Sequence, residues 1–212
     1  MRLRAASDLR FLLTLGFSYL SRFLTSERIP AFWIFFLNLR KALSILSFSP
    51  TLTSAIVYSP PLLASLYKKQ KPENIVVTHG AIGANDLTIN AIVEPGDRVI
   101  TVLPTYQQLY SIPESLGADV KICHLKPENN FLPDLDEMRS YVNDKTTLIC
   151  INNPNNPSGA LMDEAFLKEV VEIARSCNAW LLCDEAYRGL NHDVEVGNSF
   201  MTGMADLYEK GI

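Results

Sequence analysis

The sequence predicts an α/β fold over residues 66–212: three layers, α/β/α, around a mostly parallel sheet. Three observations predict it. Short apolar runs, rich in Val, Ile and Leu, recur along this stretch and read as strands. Between them lie segments whose apolar residues recur at helical spacing. Turn-forming residues mark the joints, as in Glu94-Pro95-Gly96-Asp97. The resulting β-α order, repeated four times and closed by a fifth strand, places helices on the faces of a sheet reached by right-handed crossovers.

The elements follow in order. NIVVT (74–78) is a short β-branched strand, and GAIGANDLTINAIV (80–93) is a helix with Ile82, Leu87, Ile89 and Ile92 as its apolar positions. RVITVL (98–103) is the second strand. TYQQLYSIPESLG (105–117) is helical, with Pro113 as a start or a kink and Gly117 as its C-cap. DVKICHL (119–125) is a strand. LPDLDEMRSYV (132–142) is a short helix with acids in its first turn, where the helix dipole favours them. The strand at 146–151 runs into the loop NNPNNPSG (152–159), where Pro154 and Pro157 stop it, because proline gives a ladder no N–H. DEAFLKEVVEIARSC (163–177) carries the clearest apolar stripe: Phe166, Leu167, Val170, Val171, Ile173 and Ala174. AWLLCD (179–184) is a buried strand that ends in an acid.

Residues 1–65 read differently and form a separate N-terminal segment. Up to residue 66 there are seven Lys/Arg against only Asp8 and Glu27; beyond it there are twelve against twenty-one acids. The runs at 11–24 and 29–39 are apolar but short, and neither reaches the ~20 residues of a membrane span. Three readings stay open for this segment: a targeting or membrane-surface stretch, a divergent helical region, or a misread frame joined to a real coding segment. The net charge of −4 gives no reason to expect nucleic acid. Cys123, Cys150, Cys177 and Cys183 lack metal-type spacing and read as reduced thiols of a cytoplasmic protein.

In such sheets ligands bind outside the carboxyl ends of the strands. Four segments sit there: Thr78–Ala84, Pro104–Tyr110, Asn152–Gly159 and Asp184–Tyr187. In the first, Gly80 leads into a helix start whose free backbone N–H groups bind anions, although a plain glycine turn reads the same way. Tyr106 is a rim aromatic or a plate for a flat heterocycle. Asp184, in an apolar run, needs a partner to stay charged: a cationic ring nitrogen, or a local ion pair involving Glu185 and Arg188. Asn156 either closes an Asx turn or holds an oxygen of a ligand, with Tyr187 beside it. Taken together, an amide nest, an aromatic plate, an acid for a ring nitrogen, and an Asn–Tyr pair for a ring oxygen match what pyridoxal 5'-phosphate needs.

NNPNNPSG followed about 25 residues later by CDEAY resembles the fold-type I aminotransferases of class I/II, as do VVTHGAIGAND and PGDRVITVLPTYQQLY. The resemblance spans roughly 66–212 and implies part of that family's large, pyridoxal-phosphate-binding domain. It implies Asn156 and Tyr187 at the cofactor's O3′, Asp184 at its ring nitrogen, Tyr106 stacked on the ring, and Gly80 with the amides of Ala81 and Ile82 at the phosphate. Asn85, where the family often has an apolar residue, points to a subgroup related to capreomycidine-synthase-like enzymes. The resemblance further implies an amino acid and a 2-oxo acid as substrates, and a homodimer. The family's lysine, which carries the cofactor as a Schiff base in a Ser-x-Ser-Lys context, has no counterpart before Ile212. Lys210 lacks that context, so the chain is expected to be an incomplete enzyme or a remnant that binds without turnover.

Overall fold

The computed structural model describes the backbone of residues 33–35 together with residues 59–190 and 202–212. These belong to one compact unit, Ala31–Ile212. The readings made for 11–24 and 29–39 lie outside the described residues, apart from strand β1, Trp33–Phe35. Among the described residues no helix is long and apolar enough to cross a membrane.

The expected alternation is present: β2 (Ile75–Val77), α1 (Gly80–Ile92), β3 (Arg98–Leu103), α2 (Gln108–Ser115), β4 (Asp119–His124), α3 (Leu135–Tyr141), β5 (Thr146–Asn152), α4 (Glu164–Ser176) and β6 (Trp180–Asp184). β3 to β6 form a parallel sheet in the order β4-β3-β5-β6. β2 stands apart from it and pairs in parallel with β1. Residues 210–212 extend the sheet beyond β6: Leu181 N–H donates to the Lys210 carbonyl and Ile212 N–H to the Leu181 carbonyl, at 3.0 and 2.8 Å. A short helix, α5 (Met204–Leu207), precedes them. Neither feature is expected from the sequence, because four residues are too few to show a period.

The central strands are buried on both faces, as parallel strands between helix layers must be. On β5, Leu148 and Cys150 belong to the core that contains Ile89 of α1 and Leu109 of α2. Ile149 and Ile151 belong to the core that contains Met138 of α3 and Leu167, Val170 and Ala174 of α4. Helix α4 follows its predicted stripe: Leu167, Val170, Val171, Ile173 and Ala174 are buried and Phe166 packs at their margin. Each fully buried aliphatic side chain contributes about 1.5–3 kcal/mol, so packing rather than propensity holds this helix. Its start is fixed by Asp163, whose Oδ1 accepts from the Phe166 N–H at 2.8 Å. Asp134 caps α3 in the same way, so that helix begins at Leu135 and not at 132.

Helix α1 follows its predicted stripe only in part. Its buried residues are Ala84, Asn85, Thr88 and Ile89, while Ile82 is 56% exposed. Ile89 of the expected stripe is fully buried and Ile92 packs against the same core, but two of the four buried positions are polar and escape an apolar-periodicity argument.

The segment 59–74 is clasped to α5. Asp206 accepts from the N–H groups of Lys68 and Lys69 at 2.9 and 3.0 Å, and Lys69 Nζ donates to the Asp206 carbonyl at 2.8 Å. Gly203, the residue before α5, lies against the Tyr67 ring: a Cβ there would sit 2.3 Å from Tyr67 Cε1 and 2.8 Å from an Arg188 guanidinium nitrogen. Tyr67 cannot easily yield, since Arg188 stacks 4.6 Å over its ring and its hydroxyl donates to Glu185 at 3.2 Å. Gly203→Ala is therefore expected to destabilise the fold by about 1–3 kcal/mol, the usual range for overpacking. Urea unfolding checks this, and an unchanged midpoint would contradict the packing described.

Candidate functional site

The candidate site lies where β5 and β6 end. Asn152 and Asp184, their last residues, are register partners. The buried carboxamide of Asn152 is used twice. Its Nδ2 donates to the Asp184 carbonyl at 2.7 Å, and its Oδ1 accepts from the Asn156 N–H at 2.6 Å. Asn153 acts as a substitute strand partner: its Oδ1 accepts from the Met162 N–H at 2.8 Å and its Nδ2 donates to the Met162 carbonyl at 3.0 Å. Asn155 Nδ2 donates to the Pro104 carbonyl at 3.2 Å, tying this loop to the one after β3. Its Oδ1 accepts from both the N–H and the hydroxyl of Ser158, at 3.2 and 2.6 Å. Gly159 completes the turn at φ +74°, a conformation that strains any residue with a Cβ.

Three of the four carboxamides thus build the loop, and the fourth is presented by it. Asn156 Nδ2 donates to the Tyr187 hydroxyl at 3.3 Å. Tyr187 is 42% exposed, so a polar pair lies open to a ligand at the end of the sheet. The structure brings these two sequence-predicted site residues together.

Asp184 is 8% exposed and both its oxygens are occupied. Oδ1 accepts from the Ala186 N–H at 3.0 Å and Oδ2 from Asn85 Nδ2 at 3.1 Å. Each carboxylate oxygen keeps capacity for another donor. The local ion pair considered for Asp184 forms elsewhere. Arg188 pairs with Glu185 at 3.1 Å, with both side chains nearly buried. Burial raises the Glu185 pKa, and the Arg188 charge opposes that rise. Glu185 also accepts from the Met204 N–H at 2.8 Å, so the turn after β6 is anchored to the segment leading into α5.

The other two segments are joined to this pair. Gly80 opens α1 at φ +80°. The N–H groups of Ala81 and Ile82 stand in the helix's first turn, where a helix supplies no acceptor of its own. His79 precedes them, exposed and without a capping bond. Gln108, which the sequence reading missed, links the segments: its Nε2 donates to the Ile82 carbonyl at 3.2 Å, and its Oε1 accepts from Asn85 Nδ2 at 3.5 Å. Its neighbour Tyr106 is 45% exposed. A cavity of about 40 Å³ is bounded by Ala81, Ala84, Asn85, Thr88, Asp184 and Glu185 among others, while Tyr106, Asn156 and Tyr187 lie outside its walls.

The thiols are packing groups. Cys123, Cys150 and Cys183 are buried and Cys177 partly so, and all four are free. Burial, and secondarily the Asp184 charge, pushes the Cys150 thiol up. None of the described lysines lines the cavity. Lys210 Nζ donates to the Asn178 carbonyl and Oδ1 at 2.8 and 2.6 Å, at the start of β6, whereas Asp184 is at its end.

A parallel sheet flanked by helices, with its polar groups gathered at the strands' carboxyl ends, defines the class of doubly covered α/β ligand-binding domains. The family is specific: the model of the aminotransferases of class I and II matches residues 58–205, and the chain belongs to that family. It is 39% identical over 119 residues to capreomycidine synthase of Streptomyces vinaceus, covering 56% of this chain and 31% of that protein. It is 36% identical over 122 residues to an aspartate aminotransferase of Pyrococcus horikoshii, covering 54% and 29%. The crystal structure of a PLP-dependent aminotransferase from Streptococcus suis superposes with a TM-score of 0.67 at 33% identity, over 100% of this chain and 57% of that one. The chain thus spans about a third of the length of these curated relatives.

The asparagines divide into builders and presenters, and mutation separates them. Asn153→Ala leaves the Met162 N–H and carbonyl unpaired in a buried place, at about 1–3 kcal/mol for each. Asn156→Ala removes one partly exposed group and is expected to change stability by less than about 0.5 kcal/mol. Chemical denaturation of the two variants checks this, and equal losses would contradict the division.

Proposed function

We propose that this chain is the cofactor-binding part of a pyridoxal-5'-phosphate-dependent aminotransferase that exchanges an amino group between an amino acid and a 2-oxo acid. The observation that carries the reading is the Asn156–Tyr187 pair beside a buried Asp184 whose two oxygens retain acceptor capacity. The residues present fit the cofactor. Asp184 would hold the ring nitrogen, and Asn156 with Tyr187 would hold the ring's O3′. Tyr106 would cover the ring face, and Gly80 with the Ala81 and Ile82 amides would receive the phosphate. Bound there, the cofactor supplies an electron sink for the substrate Cα. The chain's own task is to bind, orient and hold a charge opposite the ring nitrogen.

A homodimer and a cytoplasmic location complete the reading. The second is supported by four free cysteines, as expected in a reducing compartment. An alternative is cofactor binding without turnover, to which Lys210, held at the far end of β6, would contribute nothing. Borohydride reduction of the full-length gene product loaded with pyridoxal phosphate separates the two. One labelled lysine together with transaminase activity supports the enzyme. Binding with only scattered surface labelling supports the alternative.

The cofactor reading itself is tested by titrating pyridoxal phosphate into the full-length protein and its Asp184→Asn variant. Hydrogen bonds to charged groups are worth about 1.5–3 kcal/mol, so the variant should bind ~10–100-fold more weakly. Equal affinities would contradict the assignment of Asp184.

A further inference from the structure

We propose that Asn85 is a positioning residue for Asp184, and that with Gln108 it forms one hydrogen-bonded relay through three of the site segments. The proposal rests on the cofactor reading above. Asn85 lies on the buried face of α1, 3% exposed, where a helix packed on a sheet would ordinarily carry an apolar residue. A carboxamide buried at such a place is costly unless its hydrogen bonds are made. Here its Nδ2 donates to Asp184 Oδ2 at 3.1 Å, across 99 residues of sequence. Its second, longer partner is Gln108 Oε1 at 3.5 Å. Gln108 in turn donates to the Ile82 carbonyl at 3.2 Å.

The relay therefore runs from the first turn of α1, through the start of α2, to the end of β6. The Ala186 N–H fixes one oxygen of Asp184 and Asn85 fixes the other. With both oxygens tethered, the plane of the carboxylate is set before a ligand arrives, and preorganisation of this kind is what a ring nitrogen's partner requires. Asn85 touches neither the ring nor the substrate in this account. It acts through Asp184.

The test uses the full-length gene product and three variants: Asn85→Leu, Asn85→Asp and Asp184→Asn. The first keeps the branched heavy-atom skeleton of the native side chain in a bulkier, apolar form and removes the donor. The second keeps the native shape and, assayed above the pH at which the two neighbouring carboxyls stop sharing a proton, removes the donor and sets a second acid against Asp184. The readouts are the dissociation constant for pyridoxal phosphate, the absorption spectrum of the bound cofactor, and the melting temperature. Asn85→Leu should weaken binding about tenfold or more and shift the absorption band in the same direction as Asp184→Asn, because both disturb the ring nitrogen's partner. Asn85→Asp should weaken binding at least as much.

Combining Asn85→Leu with Asp184→Asn should bind no more weakly than Asp184→Asn alone, since the first change acts only through the second residue. Binding within twofold of wild type with an unmoved band would overturn the inference, as would losses that multiply in the combined variant. If Asn85→Leu does not fold, the isosteric Asn85→Asp variant decides by the same criteria. Failure of the wild-type protein to bind the cofactor would instead overturn the reading on which the inference rests.

Discussion

The buried carboxamide of Asn152 is the joint on which the site depends. It holds the carbonyl of Asp184 on one side and the N–H of Asn156 on the other, so the ends of two neighbouring strands become one rigid unit. A backbone ladder alone would set the two strands in register but would leave the loop after β5 free to swing. By capping the ladder with a side chain that both donates and accepts, the sequence fixes the direction in which Asn156 leaves the sheet. The buried sheet beneath, with core on both faces, supplies the stiffness that makes such fine placement worthwhile.

The same logic runs through the rest of the polar framework. Asn153 and Asn155 satisfy buried backbone groups that a loop would otherwise strand away from water. Glu185 and Arg188 form a nearly buried ion pair that also receives Tyr67 and the Met204 N–H. Such a pair is weak evidence for net stability, because desolvation offsets much of its attraction. What it does is tie the turn after β6 to two distant segments. Polar groups are therefore divided between two duties: most complete the backbone's hydrogen bonding, and a few are left facing outward.

Much of this was legible in the sequence. The strands at 98–103, 146–151 and 179–184 and the helix at 163–177 have strong periodicity or unbroken apolar character, and their bounds shift by only a residue or so. The proline-bracketed asparagines marked a rigid loop, and Asp184 stood out as an acid in an apolar strand. Less legible was anything set by distant contacts. Asn85 stands out where the family often has an apolar residue, but no local pattern links it to Asp184, 99 residues away. Gln108 carries no local signal that sets it apart from other polar residues of a helix. The buried face of α1 is legible only in part, at Ile89 and Ile92, because two of its buried residues are polar. β2's pairing with β1 rather than with β3 is likewise a matter of tertiary arrangement, which strand propensity does not encode.

On the proposed reading, the carboxyl ends of β5 and β6 present one set of groups to a single ligand. The most direct measurement is a crystal structure of the full-length gene product with pyridoxal phosphate bound. The account predicts the ring nitrogen within about 3 Å of the Asp184 carboxylate, and O3′ at a similar distance from Asn156 Nδ2 and the Tyr187 hydroxyl. A cofactor bound with its ring turned away from Asp184, or seated elsewhere on the chain, would contradict it.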